Sequence, residues 1–191
     1  MAAALAGCGG DDGTGGETQQ SDCDVQGDAQ LAELEAGKTY RLVVQTNKGP
    51  FTIELDRETA PCTSASFVSL AQKGFFNGIK FHRIVPGFVI QGGDPTGKGS
   101  GGPGYSTVDV PPDDAQYTKG VVAMAKTPTE PAGTSGSQFF VVTAEDAGLP
   151  PEYAVLGKVV EGLDVVEKIG KLGGPDERPT EPVEIETVKV E

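Results

Sequence analysis

Short strand-forming runs, separated by turns rich in glycine and proline, constrain the fold of this chain most. The chain has 28 glycines and 14 prolines among its 191 residues, and both residue types favour turns because of their backbone geometry. In residues 51–56 apolar and polar side chains alternate strictly, which is typical of a strand with one buried face. Further strands are predicted at 40–46, 80–85, 89–92, 120–125, 138–143, 153–160 and 183–190.

Two segments have helical spacing instead. Pro61 suits the first turn of a helix, and Gly74 suits its end. Between them Phe67 and Leu70 form an apolar stripe, and residues 163–171 predict a second, shorter helix. Because the strands do not alternate with helices, the pattern favours an antiparallel barrel or sandwich over a parallel α/β sheet.

The charge of the chain divides it into two parts. The net charge is −13, and residues 1–36 hold eight acidic side chains and no Lys or Arg. Residues 37–191 hold 20 acidic and 15 basic side chains, a composition that suits one globular domain. We therefore predict an acidic, flexible tether over 1–36 and a single domain over 37–191. No basic stripe is present, so nucleic acid is not an expected partner.

The N-terminus has a motif that affects the predicted location. Leu5-Ala6-Gly7-Cys8 resembles the lipobox of bacterial lipoproteins, in which the cysteine becomes lipidated. Only seven residues precede Cys8, and they lack the charged region of a signal peptide. The expectation is a cell-envelope lipoprotein held to a membrane only through lipid on Cys8. The alternative is a chance occurrence of these four residues, which would favour a cytoplasmic protein.

Two cysteines remain if Cys8 carries a lipid. Cys23 and Cys62 form an even pair, and outside the cytoplasm a pair of cysteines is more often bridged than reduced. The sequence therefore predicts a disulfide between Cys23 and Cys62, with two unpaired thiols as the alternative. Neither cysteine has a histidine nearby in the sequence, which argues against a catalytic thiol.

Several common site types do not fit the sequence. Residues 92–98 resemble a phosphate-binding loop, but Gly99 stands where the pattern needs Ser or Thr, and a glycine-rich stretch follows instead of a helix. His82 is the single histidine of the chain, which leaves too few ligands for a usual zinc or iron site and too few partners for a serine triad. Neither a metal nor another cofactor is predicted.

Three blocks, in a fixed order and spacing, carry a family resemblance. They are Phe81-His-Arg-Ile-Val-Pro-Gly-Phe-Val-Ile-Gln-Gly-Gly-Asp94, then 120–125 with 134–140, then 149–159. The chain resembles cyclophilin-type peptidyl-prolyl cis–trans isomerases over about residues 38–191. The resemblance implies a mostly β fold, a closed antiparallel eight-stranded barrel capped by two helices. It also implies a monomer that acts on proline-containing polypeptides.

The implied chemistry matches one residue in particular. Rotation about a peptide bond has a barrier of ~18–20 kcal/mol because of its double-bond character. In the twisted amide the proline nitrogen becomes a hydrogen-bond acceptor, and Arg83 is the fixed donor that would stabilise this transition state. The resemblance makes Arg83, Gln91 and Phe88 catalytic, with Gln91 holding Arg83. It assigns substrate binding to His82, Val89, Ala125, Lys126, Gln138, Phe140, Leu149 and Tyr153.

Three residues depart from the family pattern, and other functions also fit parts of the sequence. Gly148, Lys126 and Tyr153 replace the Trp, Asn and His of many eukaryotic members, and without that Trp tight cyclosporin binding is not expected. Val89 and Leu149 also fit a purely structural role in the core. A module that binds prolyl segments without turnover is the main alternative function, and a hydrolase on a β scaffold lacks a supporting triad.

Overall fold

The computed structural model describes residues 23–191, so Cys8 and the lipobox lie outside the described residues. Most of the secondary structure is β. The strands are β1 (Val25–Gln26), β2 (Arg41–Thr46), β3 (Gly49–Leu55), β4 (Arg83–Val85), β5 (Val89–Gly92), β6 (Ser106–Val108), β7 (Val121–Met124), β8 (Thr134–Ser135), β9 (Phe139–Val142), β10 (Val155–Glu161) and β11 (Ile185–Val190). The helices are α1 (Pro61–Gln72) and α2 (Leu163–Gly170).

Eight strands form one antiparallel sheet in the order β11-β2-β3-β10-β7-β9-β5-β4. The edge strands β11 and β4 are not joined by a continuous ladder. One bridge, between Lys80 and Glu184, links the segments that precede them, with a hydrogen bond of 3.0 Å from Phe81 N to Val183 O. The prediction of an eight-stranded antiparallel fold with two helices is confirmed. The predicted closed barrel is an overstatement. The sheet curls until its edges nearly meet, but among residues 23–191 only a single bridge links them.

The differences from the predicted elements are local. The turn between β2 and β3 is only Asn47-Lys48, since β3 begins at Gly49 and Thr46 pairs with it. A small second sheet of order β1-β6-β8 was not predicted. Its strands have only two or three residues each, which is too short for an alternating pattern to be recognised.

Alternate residues of the sheet face two different apolar clusters. The main core contains Ile84, Ile90 and Val141, each fully buried on one face of the sheet. Helix α1 lies deep in this core, and the apolar stripe predicted for it is only part of a surface that is buried over ten consecutive residues. The side chain of Phe67 packs edge-on against Phe139, with ring centroids 6.0 Å apart. The second cluster lies on the other face and is described below with the site.

The N-terminus of α1 is held by groups from distant parts of the chain. Ala60, the N-cap residue, makes no capping hydrogen bond with its side chain. Instead the buried carboxylate of Asp109 accepts hydrogen bonds from Thr63 N at 2.6 Å and Cys62 N at 3.3 Å. A carboxylate at this position satisfies amides that lack helical partners and is favoured by the helix dipole.

The described part of the predicted tether packs against the domain. Cys23 and Cys62 are joined by a disulfide, with their Cα atoms 5.5 Å apart. Leu34 is buried in the main core, and Ser69 Oγ donates to Gln30 O at 2.7 Å. The packed structure therefore begins before the predicted boundary at residue 37. Within residues 23–191, no helix has the length and apolar character that crossing a membrane requires.

Candidate active site

A row of facing residues crosses four neighbouring strands and sets up the site. Arg83 on β4 pairs with Gln91 on β5, and Gln91 pairs with Phe140 on β9. Phe140 in turn pairs with Ala123 on β7. Directly opposed residues of adjacent strands project from the same face of a sheet. The register therefore brings the predicted catalytic arginine, its predicted partner and a predicted pocket residue onto one face.

The apolar half of the site is the second cluster. Val89, Tyr117, Ala123, Phe140 and Val142 are its buried members. The partly buried residues packed against it include four further predicted site residues, Phe88, Ala125, Leu149 and Tyr153. The ring of Phe140 meets that of Tyr153 edge-on, with centroids 5.6 Å apart. Six of the predicted site residues are thus brought together in one apolar cluster.

Tyr117 supports this cluster and was not predicted. Its side chain is buried, its hydroxyl donates to Tyr153 O at 2.7 Å and accepts from Tyr153 N at 3.0 Å. Burial raises the pKa of the Tyr117 hydroxyl above its ordinary value. The residue follows an irregular stretch with two prolines and two aspartates, so no periodic pattern in the sequence marks it as part of the site.

The polar half of the site is a chain of side-chain hydrogen bonds. Arg83 Nη1 donates to Gln91 Oε1 at 3.5 Å, and Gln91 Nε2 donates to Gln138 Oε1 at 3.2 Å. Gln138 Nε2 then donates to Gly101 O at 2.9 Å. We call this series of hydrogen-bonded side chains, Arg83, Gln91 and Gln138, the polar ladder. It leaves Arg83 about one-third exposed, with 35% of its side-chain surface accessible.

Arg83 has a second hydrogen-bond acceptor, which the sequence did not predict. Glu177 Oε2 accepts a hydrogen bond from Arg83 Nε at 2.6 Å. Glu177 lies 94 positions after Arg83, in the loop between α2 and β11. No motif marks it, because it comes after the last of the three blocks that carry the family resemblance.

The glycine-rich loop beside the ladder is organised around a buried carboxylate. Asp94 is only 1% exposed. Five donors converge on its two oxygens: Thr96 N, Thr96 Oγ1, Lys98 N, Gly99 N and Ser100 N. Burial alone would raise the pKa of Asp94, but hydrogen bonds from Thr96, Gly101 and Gly99 outweigh it and hold the pKa well below its ordinary value. The amides that a phosphate-binding loop would offer to a ligand are therefore directed at Asp94.

Gly93 is the point at which this loop leaves β5. Its φ is +86°, and a Cβ there would lie 2.1 Å from Ser137 O. Ser137 Oγ donates to Gly93 O at 2.7 Å. Only glycine allows this approach, because any side chain would collide with the backbone before Gln138.

His82 and Lys126 lie at the border of the site. Burial lowers the pKa of His82, with Asp94 opposing this shift and Arg83 adding to it. The Nδ1 atom of His82 is buried without a hydrogen-bond partner among residues 23–191. The Lys126 ammonium lies 3.1 Å from a carboxylate oxygen of Glu152, and its side chain is only 4% exposed. Its charge is therefore directed toward Glu152 rather than outward.

A groove with a cavity volume of ≈ 460 Å³ lies beside Gln91 and Gln138 of the polar ladder, whereas Arg83 does not line it. It is lined by Gln91, Ala125, Lys126, Gln138 and the loop 99–104, with Gln26 and Ser106 from the small sheet. A larger depression of ≈ 2020 Å³ lies beside the N-terminal segment, and none of the residues predicted for catalysis or substrate binding line it. We place the candidate site beside the smaller groove, because Gln91 and Gln138 of the polar ladder and Ala125, which packs against the apolar cluster, line it. Across residues 23–191, no cluster of three or more His, Cys, Asp or Glu side chains could hold a metal ion.

Known proteins share much of this chain's sequence. The family model for cyclophilin type peptidyl-prolyl cis-trans isomerase/CLD matches residues 41–190. A peptidyl-prolyl cis-trans isomerase of Helicobacter pylori is 40% identical over 143 residues, which cover 73% of this chain and 86% of that protein. Peptidyl-prolyl cis-trans isomerase A of Mycobacterium tuberculosis is 37% identical over 189 residues, covering 89% of this chain and 99% of that protein.

Solved structures show the same relationship. A Cryptosporidium parvum cyclophilin-type peptidyl-prolyl cis-trans isomerase aligns with a TM-score of 0.72 and 26% identity, covering 81% of this chain and 98% of that one. The same enzyme crystallised in the presence of the dipeptide Ala-Pro aligns with a TM-score of 0.71 and 28% identity, covering 79% of this chain and 98% of that one. The chain therefore belongs to the cyclophilin-type peptidyl-prolyl cis–trans isomerase family and is an isomerase of that class.

Proposed function

We propose that this isomerase accelerates rotation about X–Pro bonds by stabilising the twisted amide, with Arg83 as the donor to the prolyl nitrogen. The observation that carries this proposal is the contact between the two halves of the site. Gln91 belongs to the polar ladder and pairs directly with Phe140 of the apolar cluster. A proline ring on the cluster would therefore bring its nitrogen within reach of the guanidinium.

The energetics favour a donor that acts mainly in the transition state. In the planar amide the proline nitrogen shares its lone pair with the carbonyl and is a poor acceptor. Conjugation is lost as the bond twists, and the lone pair becomes available to a donor. An arginine already held in place then stabilises the twisted state without reorganisation. No covalent intermediate is needed, because only a rotation takes place.

The remaining site residues receive roles from their positions. Val89, Phe140 and Leu149, with Phe88 at the edge, would form the apolar seat of the proline ring. Ala125 and Gln138 line the groove, where they would flank the peptide backbone. Lys126, His82 and Tyr153 would form the rim. The Ala-Pro dipeptide supplied to the Cryptosporidium parvum enzyme is the kind of substrate this arrangement suits.

The test separates turnover from binding in two variants. Arg83→Ala should lose catalysis of a short Ala-Pro peptide by about two to three orders of magnitude, which is typical for the loss of one preorganised donor, and should still bind the peptide. Phe140→Ala should weaken both binding and turnover, because the apolar seat serves both states. Arg41→Ala is a matched control, since Arg41 on β2 pairs with Glu54 rather than with the ladder.

The same experiment tests the alternative function, in which the protein binds prolyl segments without catalysing their rotation. If wild type binds the peptide but does not accelerate its exchange, a holding function is correct and the catalytic proposal is wrong. Full activity in Arg83→Ala would refute the mechanism, whereas equal losses of affinity and rate would show that Arg83 acts in ground-state binding.

We further propose that the clients are folding or exported proteins and that the protein is a monomeric cell-envelope lipoprotein. The support is the sequence Leu5-Ala6-Gly7-Cys8 with the acidic segment after it, together with a disulfide at Cys23. Disulfides persist mainly outside the cytoplasm. Full-length precursor with Cys8→Ser should leave the membrane fraction. Unchanged partitioning, or an unmodified Cys8 by mass spectrometry of the wild type, would contradict the anchor.

A further inference from the structure

Arg83 is held by acceptors on two of its nitrogens. Glu177 Oε2 accepts from Nε at 2.6 Å, and Gln91 Oε1 accepts from Nη1 at 3.5 Å. Because the guanidinium is planar, two acceptors on different nitrogens determine both its position and the orientation of its plane. Neither contact uses Nη2. Its two N–H groups, among the five that an arginine carries, are not engaged by these two acceptors.

The backbone of Glu177 is attached to the strand that carries Arg83. Glu177 O accepts a hydrogen bond from Ile84 N at 2.7 Å, and Ile84 follows Arg83 on the edge strand β4. Glu177 N donates to Gly174 O at 3.1 Å, which closes the turn beneath it. The same residue therefore binds β4 through its backbone and Arg83 through its carboxylate.

Two backbone features show that this contact needs a special local geometry. A Cβ on Gly173 would lie 2.4 Å from Ile84 O, so the loop reaches β4 only because residue 173 has no side chain. Glu177 has a φ of 63°, and it is the only residue other than glycine with a positive φ among residues 23–191. This conformation is disfavoured for residues with a Cβ. Such strain persists where the surrounding structure enforces it, often at functional sites.

The ion pair between Arg83 and Glu177 adds little to folding stability, so stability does not account for this arrangement. Both side chains are partly exposed, at 35% for Arg83 and 52% for Glu177, and exposed ion pairs contribute little to folding. Its effect on orientation is larger, because a long arginine side chain otherwise samples many rotamers. Small displacements of a catalytic group have large effects on rate.

We propose that Glu177 is a positioning residue that, together with Gln91, fixes the plane of the Arg83 guanidinium so that Nη2 faces the prolyl nitrogen. This inference rests on the proposed catalytic role of Arg83. Glu177 does not touch the reacting atoms in this account. Its carboxylate acts through Arg83, and its loss should lower turnover without changing the affinity for substrate.

Glu177→Gly is the most informative variant. Glycine adopts the observed φ without strain, so the loop should fold at least as well as in wild type while the carboxylate is absent. We expect kcat to fall about tenfold, within the loss that small misplacements cause, with KM unchanged and Tm unchanged or higher. Glu177→Gln should show a smaller loss, because its amide oxygen can still accept from Nε. The matched control is Glu181→Gln, since Glu181 in the same loop pairs with Lys48.

Two further measurements distinguish positioning from a general effect of the loop. In NMR spectra the Nε–H of Arg83 should exchange slowly with water in wild type and rapidly in Glu177→Gly. In an Arg83→Lys background, Glu177→Gly should have no further effect on kcat, because a lysine has no Nε–H to hold. An unchanged kcat in Glu177→Gly, or an equal loss in the Arg83→Lys background, would overturn the proposal. Full activity in Arg83→Ala would instead refute the catalytic mechanism and, with it, the positioning role.

Discussion

Asp94→Asn should show how strongly the glycine-rich loop depends on one buried charge. In the best orientation the asparagine oxygen keeps the three donors at Lys98 N, Gly99 N and Ser100 N. Its NH₂ group then faces Thr96 N, which is 2.7 Å from Oδ1 in the wild type. One hydrogen bond is therefore replaced by a contact between two donors. The three amide bonds become neutral, and so does the bond from Thr96 Oγ1, which lies 3.1 Å from Oδ2 in the wild type.

The expected cost follows from these losses. Hydrogen bonds to charged groups contribute about 1.5–3 kcal/mol each and neutral ones about 1 kcal/mol, so Asp94→Asn should destabilise the protein by about 4 kcal/mol. Activity should fall as well, because Gly101 O in the same loop accepts the hydrogen bond that ends the polar ladder. Asp113→Asn is a control at an exposed aspartate and should change stability by less than about 0.5 kcal/mol.

The pH dependence of folding stability distinguishes loss of the Asp94 charge from general damage to the fold. The pKa of Asp94 is lower in the folded than in the unfolded protein, so its stabilisation is complete above the unfolded value of about 3.9. Below that pH the stabilisation is lost as the unfolded chain binds the proton first, at up to about 1.4 kcal/mol per pH unit. Denaturant unfolding from pH 7 to pH 2.5 should show the gap between wild type and Asp94→Asn narrowing below about pH 4. A gap that stays constant, or a variant as stable as the control at pH 7, would refute this reasoning.

The disulfide and the histidine lead to two further predictions. Replacing both Cys23 and Cys62 with serine should lower the free energy of unfolding by about 4 kcal/mol in the chain-entropy model, for a sequence separation of 39 residues, and reductant should destabilise the wild type alone. For His82 the folded pKa lies below the unfolded value of 6.5, so the unfolded chain binds the proton first and stability declines as pH falls through about 6.5. His82→Phe should lack that decline in denaturant titrations between pH 7 and pH 5, and an identical slope would contradict the assignment.

The elements of the main sheet could be predicted because each has a local signal. The alternation in 51–56 and the apolar runs at 89–92 and 138–143 are sufficient to indicate strands, and the structure has strands at each of these places. β1 and β8 could not be predicted in this way, because two residues carry no period. The near-closure of the sheet also depends on a tertiary contact, the bridge between Lys80 and Glu184.

The site residues also fall into two groups, those with a local signal in the sequence and those that only the tertiary structure brings together. Arg83, Gln91 and Phe140 lie within blocks that resemble a family, so the sequence alone indicates them as site residues. Glu177 and Tyr117 come from loops without a periodic pattern, and only the folded chain brings them to Arg83 and Tyr153. The ammonium of Lys126 is a third example, since its pairing with Glu152 depends on side-chain packing.

The rate of cis–trans interconversion of enzyme-bound peptide tests the central claim most directly. Exchange NMR of an Ala-Pro peptide, recorded at saturating wild-type enzyme and at saturating Arg83→Ala, measures this rate separately from the Kd. If Arg83 stabilises the twisted amide, the rate on the variant should be lower by about two to three orders of magnitude, with a Kd within several-fold of wild type. An interconversion rate that is equal in the two enzymes would contradict the claim that Arg83 stabilises the twisted amide.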